Sequence, residues 1–402
     1  MTAEKPVAYF VGRWPSPSEA FIREEIRSLL SLGHPVYICA LRDAGPEGDQ
    51  AARDYFKTRC RILWPPRWRT FFWAAVSWFL RKPVLLASLF WSVLWKSNAT
   101  LRERMRGIVL AGLGSYAAHE LEKEIEPSRL HAHFAYGNAL VARVAASLLG
   151  TRYSLTMHHS DILFPEGLME CKLENADPLV TTSQFNRRAI LKSWAYVDPS
   201  KLKVIYSGVD TEKFVPPAVR KNAHGPVRLL TVARMHHNKD PLTVIAAAAE
   251  LKKNGLDFTW RWIGDGRVME QCKEAVKKDR LEDNIQFLGW LSHSQIPQHY
   301  RWADIFVLGS LSEGLPFVLM EAMASGLAVI STAVTGVPEL ITSGKDGLLV
   351  TAGAPHALAD AVAGLIAHPE ERRILGLAAR ERVVKDFNLV TNAERLWKTF
   401  SG

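Results

Sequence analysis

The chain has 402 residues, of which 48% are hydrophobic and 23% charged, and a net charge of +9. These values are typical of a globular protein, and the length is too great for one hydrophobic core, so we expect two domains. Four cysteines that lie far apart exclude a disulfide framework and a cysteine metal site. The amino-terminal residues lack the basic and apolar runs of a signal peptide, which predicts a cytoplasmic protein.

Short runs of apolar and β-branched residues alternate with longer amphipathic stretches along the chain. The first series of predicted strands comprises residues 7–11, 36–40, 130–134, 153–157, 178–182 and 202–206. The second series comprises residues 227–232, 258–263, 285–287, 305–308, 328–331 and 347–350. Predicted helices include residues 19–32, 241–254 and 355–367. This alternation predicts an α/β fold with two Rossmann-like, doubly wound parallel-sheet domains that face each other across a cleft.

A polar, proline-containing stretch at residues 215–225 separates the two series and is typical of a linker. We therefore expect an amino-terminal domain at residues 1–207 and a carboxyl-terminal domain at residues 208–402. Ligands of such folds bind beyond the carboxyl ends of the strands, so the cleft is the expected site.

Residues 57–119 form a basic and aromatic segment that interrupts the alternation. This segment holds eleven Lys or Arg residues and one acid, Glu103, so it carries a charge of about +10 in a chain whose net charge is +9. Residues 71–80 and 83–95 are uncharged, and both runs are shorter than the roughly 20 residues that span a bilayer. Six tryptophans lie between Trp64 and Trp95.

Three interpretations of this segment are open. Aromatic and basic residues beside an apolar face are typical of helices that lie in the headgroup region of a membrane. The same pattern fits a pair of helices packed on the first sheet. Nucleic-acid binding is the third interpretation, and the tryptophan content favours a lipid interface over a phosphate groove.

The most informative motif lies at residues 310–340. Glu313 and Glu321 are separated by seven residues, with Gly314 and Pro316 between them. Proline is tolerated in a first helical turn, so we place Glu313 in a loop and Glu321 inside the following helix. A helix amino terminus favours a phosphate, and the two carboxylates could bind ribose and sugar hydroxyls. Two solvated acids around a buried turn are the alternative.

Further polar residues follow other strands of the second series. Arg234 and Lys239 follow residues 227–232, and two fixed cations suit a diphosphate leaving group. Gly264 and Gly266 end another strand, in a pattern that also fits an ordinary turn. A full GxGxxG fingerprint with a later acid is absent, which argues against an NAD-linked oxidoreductase.

The amino-terminal half holds a second set of candidates. Ser18 is a potential helix cap, with Glu19 in the first turn. His131 and His133 lie on one face of a predicted strand. His158, His159 and Asp161 follow another strand. The histidine pairs could indicate zinc, but the spacing of known zinc motifs is absent, so we expect no metal site.

These motifs, in this order, resemble glycosyltransferase family 4, whose members have the GT-B fold and retain the anomeric configuration of the sugar. The family's glutamate pair matches Glu313 and Glu321, and its diphosphate-binding cations match Arg234 and Lys239. Asp240 stands where the family usually has glycine. The resemblance implies donor-binding roles for a set of residues in the second half. They are Arg234, Lys239, Gly264, Gly266, Glu313, Gly314, Leu315, Pro316, Phe317 and Glu321.

The amino-terminal motifs resemble enzymes of colanic acid and other exopolysaccharide biosynthesis. This resemblance implies that residues 1–207 bind the acceptor and that residues 208–402 bind the nucleotide-sugar donor, with a last helix, at about 388–400, returning to the first domain. It implies catalytic roles for His158, Arg234, Lys239 and Glu313, with either His158 or His159 facing the donor. The implied acceptor-binding residues are Gly12, Arg13, Ser18, Glu19, His133 and Asp161.

The chain contains no DxD, the motif with which metal-dependent glycosyltransferases hold the donor diphosphate. We therefore expect a metal-independent hexosyltransferase that has no cofactor and uses the nucleotide-diphosphate sugar as its substrate. The expected acceptor is a glycan or a polyprenyl-linked glycan, with peripheral contact to the anionic inner face of the plasma membrane and no nucleic acid. A non-catalytic sugar-nucleotide-binding or scaffold protein on the same fold is the alternative.

Overall fold

The computed structural model describes residues 4–16, 19–96, 99–217 and 225–401. The chain divides into two compact units. Unit 1 comprises Met1–Ile205 and Asn392–Gly402, and unit 2 comprises Tyr206–Thr391. Most of the expected linker, residues 218–224, and the predicted cap Ser18 lie outside the described residues.

Unit 1 contains a seven-stranded sheet in the order β3-β2-β1-β4-β5-β6-β7, and every neighbouring pair is parallel. Its strands are β1 (Val7–Trp14), β2 (Val36–Asp43), β3 (Cys60–Trp64), β4 (Arg129–His133), β5 (Arg152–Met157), β6 (Ala176–Thr181) and β7 (Leu202–Val204). All residues of β4 are buried, as expected for a central strand with both faces covered.

Among its described residues up to Ile205, unit 1 contributes nine α-helices. They are α1 (Ala20–Ser31), α2 (Gln50–Phe56), α3 (Trp68–Arg81), α4 (Pro83–Trp95), α5 (Leu101–Glu124), α6 (Gly137–Leu149), α7 (His159–Leu163), α8 (Met169–Leu173) and α9 (Gln184–Ser193). Within the part of the chain that the structure describes, no helix is long and apolar enough to cross a bilayer.

Unit 2 contains a six-stranded parallel sheet in the order β10-β9-β8-β11-β12-β13. Its strands are β8 (Val227–Val232), β9 (Phe258–Ile263), β10 (Ile285–Phe287), β11 (Ile305–Leu308), β12 (Ala328–Thr332) and β13 (Leu348–Val350). Its helices are α10 (Pro241–Lys253), α11 (Met269–Lys278), α12 (Ile296–Trp302), α13 (Phe317–Ala324), α14 (Val337–Leu340), α15 (Pro355–Ala367) and α16 (Pro369–Asp386). The predicted pair of parallel-sheet domains is therefore confirmed.

Two features of the first sheet differ from the sequence prediction. The strand β3 was not predicted, because Cys60–Trp64 is a partly exposed edge strand in which basic and apolar residues mix. The strand β1 runs to Trp14 instead of ending near residue 11, because Arg13 and Trp14 continue to pair with Arg42 and Asp43 of β2. Gly12 and Arg13 therefore lie within a strand and not in the loop after it.

The last helix, α17 (Leu389–Ser401), belongs to unit 1 from Asn392 onward. Leu396, Trp397 and Phe400 are buried in the core of unit 1. The Trp397 ring stacks on His34 with centroids 4.3 Å apart, and the Phe400 carbonyl accepts a hydrogen bond from Arg129. The carboxyl-terminal residues therefore complete the core of the amino-terminal unit.

Candidate active site

The loop between β11 and α13 holds Glu313 in a buried position, where its Oε1 has two hydrogen-bonding partners. Ser310 Oγ donates to Glu313 Oε1 over 2.6 Å, and Lys239 Nζ lies 2.5 Å from the same oxygen. The Glu313 side chain is 9% exposed and that of Lys239 is 20% exposed. The structure therefore joins a cation that follows β8 to a carboxylate that follows β11, and it leaves part of the cation accessible.

Thr335 and Gly336, which follow β12, hold this loop in place. The Thr335 hydroxyl accepts from the Glu313 backbone N–H over 2.9 Å and donates to the Glu313 carbonyl. A Cβ atom added at Gly336 would lie 1.8 Å from the Gly314 carbonyl oxygen. Glycine is therefore required at residue 336 because two backbones approach each other more closely than any side chain allows.

Arg234 lies after β8, beside a turn built from two glycines. Gly264 has φ of +130° and Gly266 has φ of +155°, and Cβ atoms there would lie 2.1 Å and 2.3 Å from the carbonyl oxygens of Ala233 and Met235. Arg234 itself is exposed. The turn therefore packs against the backbone on both sides of Arg234 and fixes the path of the chain at that residue.

Asp240 adopts a left-handed conformation with φ of 44° and immediately precedes α10. That backbone conformation explains why a glycine is common at the equivalent position of the family that the sequence resembles. Aspartate tolerates this region better than most residues, so the departure from the family pattern leaves the backbone geometry in place.

Glu321 lies inside α13 and has hydrogen-bonding partners on both oxygens. Tyr300 OH donates to Oε2 over 2.8 Å, and His293 Nε2 lies 3.2 Å from Oε1. Lys213 Nζ lies 2.7 Å from His293 Nδ1. Because an ammonium group only donates, His293 carries its proton on Nε2 and donates it to Glu321. Burial and the Glu321 carboxylate raise the pKa of Tyr300 well above its ordinary value.

The remaining predicted donor-binding residues form the approach to α13. Leu315 is buried, Pro316 is the residue before the helix, and Phe317 is its first residue. The expected position of Glu321 inside the helix agrees with this geometry, and Pro316 precedes the first turn by one residue. The amino terminus of α13 carries the partial positive charge of the helix dipole, which favours an anion.

Unit 1 holds a separate, histidine-rich cluster at the carboxyl ends of β4 and β5. His133 Nε2 lies 3.1 Å from Glu25 Oε1, and His133 Nδ1 lies 3.3 Å from His158 Nε2. Tyr9 OH donates to the same Glu25 oxygen over 3.0 Å. His133 is 1% exposed and His158 is 9% exposed. Burial, with the neighbouring His133, lowers the pKa of His158 well below its ordinary value, so this imidazole is neutral near pH 7.

Aromatic rings surround His158. The Phe134 ring centroid lies 4.2 Å from that of His158, the Phe21 centroid lies 5.2 Å away, and Tyr136 stacks on Phe134. Phe134 adopts φ of +67°, which is rare for an aromatic residue. Such strain persists only where the surrounding structure requires it, and it concentrates at functional sites.

Asp161 and Glu19 are two further acids of this cluster, beside Glu25. The backbone N–H of His158 donates to Asp161 Oδ2 over 2.7 Å. Burial raises the pKa of Asp161 to about 7, and burial also raises the pKa of Glu19. Lys172 is 2% exposed, and burial lowers its pKa to about 8.

The other predicted residues of unit 1 are less constrained. Arg13 is exposed, and a Cβ at Gly12 would meet no atom within 4 Å, so space is open beside this strand. Glu19 is the residue before α1 and not part of its first turn, because the helix begins at Ala20. His159 Nδ1 lies 3.2 Å from Asn186 Oδ1, so it faces away from the His133–His158 pair.

Sequence reasoning missed five residues that support these two clusters. They are Glu25, Lys213, His293, Tyr300 and Thr335. Glu25 lies six residues after Glu19 on the same predicted helix, residues 19–32, so it carried a local signal, whereas Lys213, next to the expected linker, was given no role. His293, Tyr300 and Thr335 belong to other elements, and only the packing of those elements brings them to the glutamates.

A metal site was not expected from the sequence. Among the described residues, no group of three or more His, Cys, Asp and Glu side chains has the arrangement needed to hold a metal ion.

Models of two protein families match adjoining parts of the chain. The model described as Glycosyl transferases group 1 matches residues 217–382, and the model described as Glycosyltransferase Family 4 matches residues 96–213. The first match takes in the Lys239–Glu313 pair, and the second takes in the His133–His158 cluster.

Full-length relatives agree with these matches. The chain is 27% identical to the Salmonella typhimurium protein named colanic acid biosynthesis glycosyltransferase WcaL, over 95% of this chain and 96% of that one. It is 27% identical, over the same shares, to an amylovoran biosynthesis glycosyltransferase of Erwinia amylovora. The solved structure of Anabaena HepE in complex with UDP and glucose has a TM-score of 0.72 at 18% identity, covering 99% of this chain and 100% of that chain. The two family matches and these relatives show that the chain carries a family 4 glycosyltransferase domain followed by a group 1 glycosyltransferase domain, and its two parallel sheets have the GT-B fold.

Proposed function

We propose that this glycosyltransferase moves a hexose from a nucleotide-diphosphate sugar to a glycan or polyprenyl-linked acceptor, with retention of configuration and without a metal ion. The observation that carries the proposal is the contact of 2.5 Å between Lys239 Nζ and Glu313 Oε1. This contact places a partly accessible cation and a carboxylate together at the carboxyl ends of two adjacent strands, where ligands of such sheets bind.

Arg234 and Lys239 neutralise the diphosphate as the glycosidic bond breaks, because the leaving group gains negative charge at that moment. Glu313 orients the Lys239 ammonium group and accepts a hydrogen bond from a sugar hydroxyl group. Glu321 accepts hydrogen bonds from the ribose hydroxyl groups. The acceptor oxygen attacks on the side of the leaving group, and a donor phosphate oxygen takes its proton. No side chain then acts as general base, and His158 contributes by contacting a hydroxyl group.

Arg234 and Lys239 support the proposal that catalysis needs no metal ion. Two side chains from the loop after β8 supply positive charge where DxD enzymes use a divalent ion.

The relatives support a role in polysaccharide biosynthesis. Two of them are named for colanic acid and amylovoran biosynthesis, so we propose a role in bacterial exopolysaccharide assembly at the cytoplasmic face of the membrane.

The first experiment screens UDP-, GDP- and ADP-sugars by thermal shift, because a ligand that binds the folded state raises the melting temperature. The sugar nucleotide that binds is then used to measure donor turnover for wild type, Lys239→Ala and Glu321→Ala. Loss of one leaving-group cation is expected to reduce turnover by about 10²–10³-fold. Lys253→Ala is the control, because Lys253 is exposed on α10.

Wild-type turnover in both Lys239→Ala and Glu321→Ala would overturn the assignment. Donor binding without turnover in any preparation would instead favour the second candidate, a non-catalytic protein that binds a nucleotide sugar.

The surface formed by α3, α4 and the start of α5 supports the membrane part of the proposal. Phe72, Trp73 and Leu80 of α3 are 64%, 61% and 73% exposed, and Val84 and Trp91 of α4 are 82% and 64% exposed. Large apolar side chains seldom gather on the free surface of a monomer in this way. We refer to this surface as the aromatic hairpin.

The charge around the aromatic hairpin is lower than the sequence count indicates. Arg81 makes a bidentate pair with Glu122, Lys96 pairs with Glu174, and Arg61 pairs with Glu124. None of these acids was counted in the charge of residues 57–119, because Glu122 and Glu124 lie just after that segment and Glu174 lies farther along the chain. Among the described residues, Arg67, Arg69 and Arg102 make no ion pair and are exposed. They are available to the headgroups of an anionic bilayer.

Vesicle flotation tests this surface. We expect binding to vesicles that contain anionic lipid, weaker binding at high salt, and a loss of about tenfold in the Phe72→Ser, Trp73→Ser double variant. Trp290→Ser is the control, because Trp290 is 69% exposed in unit 2. Equal flotation of the double variant and the control would overturn the membrane contact, as would a stable dimer or a nucleic-acid complex that covers the hairpin.

A further inference from the structure

A series of hydrogen bonds in unit 1 connects α1 to His158. Glu25 Oε1 lies 3.1 Å from His133 Nε2, and His133 Nδ1 lies 3.3 Å from His158 Nε2. The sequence resemblance implied that His133 binds the acceptor. In the structure, however, both of its ring nitrogens have protein partners and its ring is buried. His133 is therefore placed to act on His158 and not on a ligand.

The chemistry of the series determines where the protons lie. An ionised carboxylate only accepts hydrogen bonds, so His133 carries a proton on Nε2 and donates it to Glu25. With its proton on Nε2, His133 has a lone pair on Nδ1, which accepts a hydrogen bond from Nε2–H of His158. The remaining nitrogen of His158, Nδ1, is consequently the unprotonated one.

Neighbouring residues fix the position of the His158 ring as well as its tautomer. Phe134 and Phe21 pack on the imidazole, and Asp161 accepts the His158 backbone N–H. Tyr9 adds a second hydrogen bond to Glu25 and stacks on His133 with centroids 5.5 Å apart. Each member of the series therefore has a neighbour that restricts its rotation.

We infer that Glu25 and His133 are positioning residues that hold His158 in the Nε2–H tautomer, so that its Nδ1 accepts a hydrogen bond from a hydroxyl group of the sugar or the acceptor. The logic is that of a carboxylate that orients a histidine and selects its tautomer, extended by one further imidazole. The inference deepens the proposed function and rests on the role given there to His158.

The test uses the full chain labelled with ¹⁵N at histidine. Two-bond nitrogen–proton correlation spectra distinguish the two tautomers, and His133→Gln and His158→Gln assign the signals among the 13 histidines. We expect both His133 and His158 to show the Nε2–H tautomer in the wild type. Glu25→Gln is expected to give mixed tautomers at both residues, because an amide can donate as well as accept.

Kinetics provide the second measurement. Glu25→Gln is expected to lower kcat by about tenfold or more while the KM for the donor stays within about twofold, because the tautomer of His158 affects the reacting complex more than donor binding. Glu24→Gln is the matched control. Glu24 is the adjacent residue of α1, and it pairs with Arg23 and Arg27.

An Nδ1–H tautomer of His158 in the wild type would overturn the inference, even if Glu25→Gln failed to fold. An unchanged spectrum and kcat in a folded Glu25→Gln would also overturn it. The failure of the proposed function is distinguishable, since it would appear as full turnover in Lys239→Ala, whereas the tautomer spectra are recorded without substrate.

Discussion

Both units hold a histidine between two ionisable side chains, but the partners differ. In unit 2, His293 lies between Lys213 and Glu321, so a cation at one end directs the imidazole to donate to a carboxylate. In unit 1, His133 lies between Glu25 and His158, so a carboxylate at one end directs the imidazole to accept from a neutral ring. The histidine of unit 2 therefore lies between an amino group and a carboxyl group, whereas that of unit 1 lies between a carboxyl group and a second imidazole.

The two clusters also differ in how they are assembled. In unit 2, Ser310, Glu313 and Glu321 belong to one short stretch, and Thr335 and Gly336 of the next loop clamp it. In unit 1, Tyr9, Glu25, His133 and His158 come from four elements. The Glu313 loop of unit 2 is held by the geometry of two loops, whereas the cluster of unit 1 depends on the packing of the whole unit.

Removing the ring of Trp397 tests the dependence of unit 1 on long-range packing. Trp397 is 5% exposed and stacks on His34. We expect Trp397→Ala to lower the free energy of unfolding by about 3–5 kcal/mol, through the lost burial and the cavity. Hydrogen exchange should show the loosening in unit 1 and not in unit 2. Trp290→Ala, at an exposed residue, serves as the control, and equal destabilisation of both units would contradict the comparison.

Adding one methyl group at Gly336 tests the dependence of unit 2 on loop geometry. The new Cβ would lie 1.8 Å from the Gly314 carbonyl oxygen, so the Glu313 loop must move. We expect Gly336→Ala to lower donor turnover by about 100-fold or more, since small displacements of catalytic groups have large effects. Gly364→Ala is the matched control, because no atom lies within 4 Å of its Cβ position. Similar turnover in the two variants would show that the loop is not critical.

Removing the Tyr300 hydroxyl group tests whether Glu321 depends on its buried donor. Tyr300 OH donates to Glu321 Oε2 over 2.8 Å, and both residues are buried. We expect Tyr300→Phe to lower the free energy of unfolding by about 2 kcal/mol, because a buried carboxylate loses a hydrogen bond. Chemical denaturation measures the change. Tyr196→Phe, at an exposed tyrosine, is the comparison, and a loss no larger than in that variant would refute the expectation.

Replacing Asp161 tests how burial of this carboxyl group affects the pH dependence of stability. Burial raises the pKa of Asp161 to about 7, above the ordinary value of about 4. The folded state therefore binds this proton more tightly than the unfolded state, and the free energy of unfolding falls as the pH rises from about 4 to about 7. Asp161→Asn cannot ionise, so we expect a smaller fall in this range.

Denaturation at several pH values measures the slope for Asp161→Asn. Asp283→Asn, an exposed position in unit 2, is expected to keep the wild-type slope. A slope in Asp161→Asn that equals that of wild type would mean that Asp161 does not control the pH dependence of stability.

The sequence predicted the strands that form the centre of each sheet and the residues of the unit 2 motif. The central strands β8, β9 and β11 have the predicted bounds, because buried parallel strands are largely apolar runs, and so does the edge strand β10. The edge strand β3 escaped prediction because half-exposed residues lack that signal. Glu313 and Glu321 could be predicted because a loop and the helix after it are adjacent in the chain.

The amino-acid sequence by itself determined the two-sheet architecture and the glutamate and cation motifs, since periodicity and short spacings are local properties. Tertiary structure alone decided that acids at the end of α5 pair with Arg61 and Arg81 of the basic segment and that His133 contacts Glu25 and His158. It also decided that the last helix completes the core of unit 1. The physical reason is that hydrogen bonds and ion pairs depend on distances of a few ångströms between residues that the chain separates by tens or hundreds of positions.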